Sequence, residues 1–198
     1  MNDAPPLRIG VLAVQGSFRL HIDALSRCGG VAPVNIRYAH EISDLDGLII
    51  PGGESTVLTG VSQELGLFEA LREAGEQGLP IFGTCAGAIL LGQGDEAPER
   101  LELVPAQLER NAYGRQVESF ETNLQLLPFE APFRAIFIRA PKIQLPPNHE
   151  ELGLRVLARE GSDPVLVRYR HYLLATFHPE LTTDIRIHRH FIDEVVKK

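Results

Sequence analysis

One stretch of the chain, residues 79–91, reads LPIFGTCAGAILL and contains a buried strand followed by the start of a helix. The apolar run from Leu79 to Phe82 leads into GTCAG (83–87), where small residues flank Cys85. Small neighbours allow a strand to turn sharply into a helix, so that the central side chain stands exposed on strained backbone. The pattern predicts a nucleophile elbow, and the helix N-terminus favours the thiolate form of the cysteine. The alternative is a small, simply buried thiol that precedes a helix.

Strands and helices alternate around this elbow. The predicted strands are 7–14, 47–50 and 79–82, and the predicted helices run through Leu20, Ile22, Leu25 and Cys28 and around 65–76. Near-continuous apolar runs that alternate with helices are typical of a parallel sheet whose two faces are both covered. The chain is therefore expected to be an α/β protein with right-handed crossovers.

Beyond residue 94 the pattern changes to strand-like segments separated by turns that contain Pro or Gly. These segments are 118–127, 133–138, 154–158 and 164–169. We expect them to add antiparallel β structure at one edge of the sheet. A last apolar strand, 172–177, and a helix over 185–196 close the chain.

Composition narrows the class of protein. A length of 198 residues predicts one domain, 1–198, and 44% hydrophobic with 23% charged residues is typical of a globular chain. The net charge of −7 gives no reason to expect nucleic acid or an anionic membrane as partner. No run approaches the roughly 20 apolar residues of a membrane span, and no secretory signal is recognisable. A cytoplasmic location is expected.

The second cysteine and the C-terminal histidines have simple interpretations. Pairing Cys28 with Cys85 would quench the elbow, so we expect Cys28 to be an inert thiol near a helix end. His188 and His190 are two residues apart and point to different sides of a helix, so no metal site is predicted. The segment that carries them is interpreted as a solvated face.

A cysteine nucleophile needs a base and a group that orients the base. His178 and Glu180 follow a predicted buried strand, at the sheet edge where the elbow places Cys85. Residues two apart project to one side of an extended segment, and Pro179 restricts the backbone between them. The order of Cys, His and Glu predicts a catalytic triad.

The segment PGGEST (51–56) also follows a strand. Its paired glycines allow a backbone N–H to face a ligand, so Gly53 could supply half of an oxyanion hole. The N–H of Ala86, the residue after the nucleophile, would supply the other half. The alternative is a tight turn followed by a helix cap, and both can hold at once.

Six segments together resemble one family. They are GVLAVQG (10–16), PGGEST (51–56), GTCAG (83–87), RNAYGRQ (110–116), FIRAP (137–141) and HPELT (178–182). The elbow and the His-x-Glu pair are similar to those of triad glutamine amidotransferases. The other segments resemble the glutaminase subunits of pyridoxal 5′-phosphate synthase, over nearly the whole chain. The chain departs from the family around 18–20 and at 92–108.

The resemblance implies a flavodoxin-like three-layer fold and hydrolysis of L-glutamine. Cys85 would attack the side-chain amide, His178 would protonate the departing ammonia, and Glu180 would orient His178. The residues implied in glutamine binding are Gly53, Glu54, Ser55, Arg110, Ile138 and Arg139. An arginine suits an α-carboxylate and an acidic side chain suits an α-ammonium, but which residue contacts which end stays open.

The resemblance also implies a partner, the (β/α)₈ synthase subunit, in a hetero-oligomer that receives the ammonia. Pyridoxal phosphate would be a product of the complex, and no cofactor is expected on this chain. We expect low activity from the isolated subunit. Two alternatives remain: a glutaminase subunit that serves a different synthase, and a non-enzymatic sensor or binding protein of flavodoxin-like fold whose cysteine responds to oxidants.

Overall fold

The computed structural model describes residues 5–94, 98–110 and 119–197. The strands are β1 (Leu7–Leu12), β2 (Val31–Ile36), β3 (Gly47–Ile50), β4 (Ile81–Thr84), β5 (Gln107–Glu109), β6 (Ser119–Leu124), β7 (Phe133–Ile138), β8 (Lys142–Gln144), β9 (Leu154–Glu160), β10 (Asp163–Tyr169) and β11 (Tyr172–Ala175). The α-helices are α1 (Phe18–Ser26), α2 (Ser55–Glu64), α3 (Leu67–Glu76), α4 (Ala86–Leu91) and α5 (Arg186–His190). Two 3₁₀ helices cover Ala39–Glu41 and Pro179–Leu181, and α5 continues as a π-helix over Phe191–Val196.

A seven-stranded sheet has the order β2-β1-β3-β4-β11-β10-β9. Its first five strands are parallel, and β10 and β9 are added antiparallel. Every residue of β3, β4 and β11 is buried. Strands buried on both faces are the reason for the near-continuous apolar runs in the sequence.

Successive side chains of the central strands enter two separate hydrophobic cores. On β4, Ile81 packs into one core and Phe82 into the other, and Leu173 and Leu174 of β11 divide in the same way. Helices α2, α3 and α4 cover the first face, whereas α1, α5 and the π-helix cover the second. The alternation follows from the period of two along a strand, and it produces the expected three-layer α/β fold.

Helix α1 presents a core face that differs in part from the one expected. Of the predicted positions, Leu25 and Cys28 are buried and Ile22 packs partly buried against the second core, but Leu20 is 40% exposed, and His21 and Ala24 are buried as well. The spacing of 21, 24, 25 and 28 fits an α-helical face, in which position 21 was not recognised because a histidine interrupts the apolar pattern.

The added strands form three groups. Strands β9 and β10 extend the main sheet at one edge, as predicted. Among the strands that the structure describes, β6 and β7 pair only with each other, as a ribbon, and their predicted position at the sheet edge is wrong. A third pair, β5 and β8, is also separate from the main sheet. The ribbon of β6 and β7 reaches the strand ends of the main sheet, where the backbone N–H of His178 donates to the carbonyl oxygen of Ile136 at 2.9 Å.

The opposite edge strand, β2, was not predicted. It contains Pro33 and Asn35, which are unfavourable in a strand interior. Within residues 5–94, 98–110 and 119–197, β2 pairs only with β1, so it is an edge strand of the sheet, and an edge strand is where proline is tolerated. Among the described residues, no helix has the length and apolar character needed to cross a membrane.

Close backbone packing at the elbow requires glycine. A Cβ on Gly83 would lie 2.6 Å from the backbone carbon and oxygen of Gly87, at the first turn of α4. Real side chains do not approach this closely, so the strand could not fold back against the helix with a larger residue at this position. The small residues of GTCAG are therefore a packing requirement of the strand-to-helix turn.

We predict that Gly83→Ala destabilises the protein by about 1–3 kcal/mol, because the added methyl group must displace helix backbone. The matched control is Gly60→Ala on α2, where a Cβ meets nothing within 4 Å. That change should stabilise the protein by about 0.5–1 kcal/mol through helix propensity. Urea unfolding of both variants measures the difference, and equal stabilities would contradict the packing argument.

Candidate active site

Cys85 lies between β4 and α4 with φ 47° and ψ −104°, a conformation that non-glycine residues rarely adopt. Two backbone hydrogen bonds hold it: its N–H donates to Ala175 at 2.8 Å, and its carbonyl accepts from Ile89 at 3.1 Å. Strained backbone that the surrounding structure enforces is common at functional sites. The local geometry is that of a nucleophile elbow, with Sγ 3.8 Å from the carbonyl oxygen of Ile138.

His178 and Glu180 form the predicted pair. Nδ1 of His178 lies 2.8 Å from Oε1 of Glu180, and both residues are buried. The backbone between them differs from the expected extended segment, because Glu180 lies in the 3₁₀ helix Pro179–Leu181. The tight turn still brings the carboxylate to Nδ1, which leaves Nε2 for proton exchange with the thiol of Cys85.

The carboxylate of Glu180 is closed off from solvent, with a side-chain exposure of 0%. Ser17 donates its hydroxyl to Oε1 at 2.6 Å, and Nε2 of His21 lies 3.4 Å from Oε2. The contacts come from the segment after β11, from the loop before α1 and from α1 itself. A buried anion needs such partners, because burial alone would strongly favour its neutral form.

These contacts shift the pKa values of Glu180 and His178. Burial opposes ionisation of Glu180, but His21, His178 and Ser17 together hold the pKa of that carboxyl well below its usual range. Burial also disfavours the charged imidazole, yet the hydrogen bonds with Cys85 and Glu180 raise the pKa of His178 far above its ordinary value. The contacts therefore favour an ionised carboxylate beside an imidazole that binds a proton more strongly than a free histidine does.

A cavity of about 350 Å³ opens in front of Cys85. The structure brings every residue of the predicted site to this cavity except Glu180, which lies behind His178. The lining residues are Gln15, Gly53, Glu54, Ser55, Cys85, Ala86, Ile89, Arg110, Ile138, Arg139 and His178. Gln15 and Ile89 were not among the predicted residues. Residues 111–116 of the RNAYGRQ segment lie outside the described residues.

Two opposite charges form an ion pair on the wall of the cavity. Nη2 of Arg110 lies 3.1 Å from Oε1 of Glu54, and the other carboxylate oxygen of Glu54 accepts from the backbone N–H of Val57 at 2.9 Å. Burial opposes the charge on Glu54, but the N–H groups at the start of α2 and then Arg110 lower the pKa of its carboxyl. The predicted helix cap and the predicted binding residue are thus the same side chain.

The glycine loop is fixed from two sides. The N–H of Gly52 donates to Oγ1 of Thr84 at 3.0 Å, and its carbonyl accepts from the N–H of Ser17 at 3.2 Å. A Cβ on Gly52 would overlap the imidazole of His178, and one on Gly53 would overlap the amide of Gln15. Position 52 of the loop can therefore pass this close to His178 only as glycine, whereas a side chain at position 53 would displace the flexible amide of Gln15.

Comparison with known proteins identifies the family of this chain. The model of the SNO glutamine amidotransferase family matches residues 11–197. The chain belongs to this family. It is 48% identical to the pyridoxal 5′-phosphate synthase subunit PdxT of Desulforamulus reducens, over 93% of this chain and 97% of the relative. It is 46% identical to the protein of the same name from Thermotoga petrophila, over 96% of this chain and all of that protein.

Solved structures agree with this assignment. A crystal structure described as a glutamine amidotransferase superposes with a TM-score of 0.86 at 44% identity, covering 96% of this chain and 99% of its own. The PurLQS structure from Thermotoga maritima, at 16% identity and a TM-score of 0.67, shares the fold over 96% of this chain and 99% of its own. The family resemblance and the α/β fold class predicted from the sequence are confirmed.

One prediction about the C-terminal segment was wrong. His188 is fully buried and His190 is 8% exposed, so this segment is not a solvated face. Nε2 of His188 lies 3.0 Å from Nδ1 of His21, and its ring also contacts Phe82 edge-on. Among the described residues, no group of three or more His, Cys, Asp or Glu side chains could hold a metal ion.

Ser17, His21 and Thr84 were not predicted from the sequence. Ser17 and His21 follow β1, at the same sheet edge as the elbow, and this position was the available signal. The predicted core face of α1 did not include His21, because the sequence pattern placed Leu20 in the core instead. Thr84 was noted only as a small neighbour of Cys85, although its hydroxyl accepts from the N–H of Gly52.

We predict that stability falls with decreasing pH because His188 is buried in its neutral form. Burial first, then repulsion from His21 and Arg27, lowers the pKa of His188 to about 3, against the attraction of Glu180. Below an unfolded-state pKa of about 6.5 the unfolded chain binds a proton that the folded chain does not, so folding becomes less favourable.

His188→Gln should reduce this dependence by up to about 1.4 kcal/mol per pH unit between roughly pH 6 and pH 4. Urea unfolding at a series of pH values provides the measurement. His40→Gln, which removes a histidine outside the core, is the control and should keep the wild-type slope. An unchanged slope in His188→Gln would show that His188 titrates alike in both states.

Proposed function

We propose that this protein hydrolyses L-glutamine to L-glutamate and ammonia as the glutaminase subunit of a pyridoxal 5′-phosphate synthase. The observation that carries the proposal is the arrangement of the triad: the imidazole of His178 is fixed by Glu180 at 2.8 Å, beside the strained Cys85 that faces the cavity. An oxidant-sensing thiol requires neither a base nor a buried carboxylate. Membership of the amidotransferase family and the PdxT relatives support the same activity.

The reaction proceeds in two steps. Cys85 gives its thiol proton to His178 as Sγ attacks the side-chain amide carbon. His178 passes this proton to the nitrogen, so that the C–N bond breaks and ammonia departs, leaving a thioester. Water then attacks the thioester and gives a proton to His178, and the C–S bond breaks as His178 returns this proton to Sγ, which releases glutamate and restores the thiol of Cys85. The negative oxygen formed in each step is stabilised by the backbone N–H groups of Gly53 and Ala86. Throughout, Glu180 remains ionised and orients His178.

The charged cavity wall suits the other end of glutamine. Its free α-ammonium and α-carboxylate form a zwitterion, and Glu54 with Arg110 and Arg139 presents both signs of charge to the same space. Ser55 and Ile138 complete the binding surface. The ion pair of Glu54 and Arg110 opens toward the cavity, so that glutamine can interact with both partners. Bidentate contact with an arginine is the strongest fixed geometry available to a carboxylate.

Ammonia released into neutral water is protonated and loses its nucleophilic character. The product must therefore pass directly to a subunit that consumes it, which we propose is the (β/α)₈ synthase subunit in a hetero-oligomer. We further propose that residues 1–198 form one glutaminase domain that acts in the cytoplasm without its own cofactor. The net charge of −7 is unfavourable for binding nucleic acid or an anionic membrane.

We predict that glutamate release depends on Cys85 and rises when the synthase subunit is added. Cys85→Ala should retain glutamine binding but lose turnover, because no thioester can form. Cys28→Ala is the matched control, since Cys28 is a buried thiol that donates to the carbonyl of Ala24, and it should retain turnover. The readout is glutamate release by each variant, alone and with the partner.

The outcomes separate the alternatives. Cys85-dependent release without stimulation would keep the triad and point to a different synthase, which copurification of the native partner would identify. No release under either condition, from folded and associated subunits, would favour an oxidant sensor. Full function after replacement of His178 would support the sensor as well.

Glutamine affinity should depend on the arginines at the cavity. We predict that Arg110→Ala raises KM roughly 10- to 100-fold, the effect of losing a hydrogen bond to a charged group, with a smaller change in kcat. Arg159→Ala, which removes an exposed arginine of β9, should leave KM unchanged. A KM that is equal in both variants would show that Arg110 does not contact glutamine.

A further inference from the structure

Behind the triad lies a second, fully buried layer of polar side chains. Nε2 of His21 lies 3.4 Å from Oε2 of Glu180 and 3.3 Å from Oγ1 of Thr84, while its Nδ1 lies 3.0 Å from Nε2 of His188. The residues His21, Thr84 and His188 are each 0% exposed. None of them lines the cavity, so they do not contact the substrate.

The contacts determine where the protons lie. Nε2 of His21 faces two acceptors, the carboxylate of Glu180 and the hydroxyl oxygen of Thr84. A lone pair directed at a carboxylate would be repelled, so Nε2 must carry the proton. Nδ1 then bears the lone pair and accepts the N–H of His188. The opposite assignment would place an unpaired N–H on Nδ1 of His188, which has no partner among the described residues.

We propose that His21, set in its tautomer by His188, is a positioning residue that donates Nε2–H to Glu180 and so fixes the carboxylate that orients His178. No atom in the described part of the chain hydrogen-bonds to Oε2 of Glu180, and Nε2 of His21, 3.4 Å away, is positioned to supply that proton once the two atoms approach. Without His21, Oε2 would have no donor, and only the contacts of Oε1 with Ser17 and His178 would orient the carboxylate. Catalytic hydrogen bonds are often long in the free enzyme and shorten in the working complex, which accounts for the 3.4 Å distance.

Thr84 connects His21 to the loop of Gly52 and Gly53, which is proposed to stabilise the oxyanion. Its hydroxyl oxygen accepts from the N–H of Gly52, which precedes Gly53, and also contacts Nε2 of His21. One imidazole thus connects the carboxylate that orients the base with the loop that is proposed to stabilise the oxyanion. The inference rests on the proposed function, since it assigns His21 to the same reaction.

The first test is the protonation state of His21 in the wild-type chain. Imidazole ¹⁵N spectra at pH 7–8, with His21 assigned by its absence in His21→Gln, should show a neutral ring with the proton on Nε2. A ring protonated on Nδ1, or on both nitrogens, would overturn the proposal. This test requires no turnover, so it stands even where the glutaminase assignment fails.

The second test compares two variants in the complex with the synthase subunit. His21→Leu removes the donor and should lower kcat roughly 10- to 100-fold, as when an orienting partner of a functional histidine is lost. His21→Gln places an amide N–H near the position of Nε2 and should recover kcat to within about fivefold of wild type, while KM changes less than about threefold in both. His40→Leu, outside the core, is the control.

A structural role alone would give a different pattern. Equal losses of kcat in the Gln and Leu variants, or wild-type kcat in both, would overturn the positioning role. Where His21→Leu fails to fold, Thr84→Val and the ¹⁵N spectrum of the wild-type chain still decide the result. Thr84→Val should lower kcat, because it removes the contact that joins His21 to the Gly52 loop.

Discussion

The buried carboxylate of Glu180 constrains much of the surrounding structure. An anion without solvent contact is costly unless several donors surround it, and here the donors come from separate parts of the chain. Ser17 and His21 approach from the first strand-to-helix unit, and His178 approaches from the end of β11. The strands that carry these residues must therefore end at the same edge of the sheet, which a parallel sheet provides. The need to stabilise the Glu180 carboxylate and the parallel arrangement of the strands are therefore linked.

Backbone strain beside the cavity is a second constraint on the structure. Cys85 and Arg139 have φ values of 47° and 41°, where non-glycine residues each cost about 1–3 kcal/mol. The sheet supports Cys85 through its N–H bond to Ala175, and close glycine packing holds the helix against β4. The burial of apolar side chains in the two cores, one on each face of the sheet, offsets the free-energy cost of this strain. The nucleophile is rigid because its neighbours leave it no alternative position.

Residue patterns predicted the parts of the molecule in which local and global preferences agree. The buried parallel strands and the elbow were predicted, since their apolar runs and small residues are compatible with few other local structures. Strand β2 was missed because Pro33 is tolerated only at an edge, and edge position is a property of the assembled sheet. The ribbon of β6 and β7 was misplaced for a similar reason: alternation specifies a strand but not its partner.

The residues of the candidate site were likewise predicted only in part. The residues that line the cavity were found through motifs at strand ends and through family resemblance, and the structure brings them together. The layer behind them was missed, because a histidine inside an apolar helix face weakens the pattern by which such a face is recognised. His188 was assigned to the surface from its charged neighbours, although its ring packs against Phe82.

The chemistry of the second layer explains why it consists of neutral imidazoles. A lysine or arginine beside Glu180 would also orient the carboxylate, but its full charge would compete with the imidazolium that forms on His178 during the reaction. Burial lowers the pKa of both His21 and His188, with the carboxylate of Glu180 opposing the effect, so both rings stay uncharged. A neutral N–H fixes the direction of the carboxylate and leaves most of its negative charge available to His178. The buried histidines therefore provide orientation without charge neutralisation, which a triad that must hold a proton on its base requires.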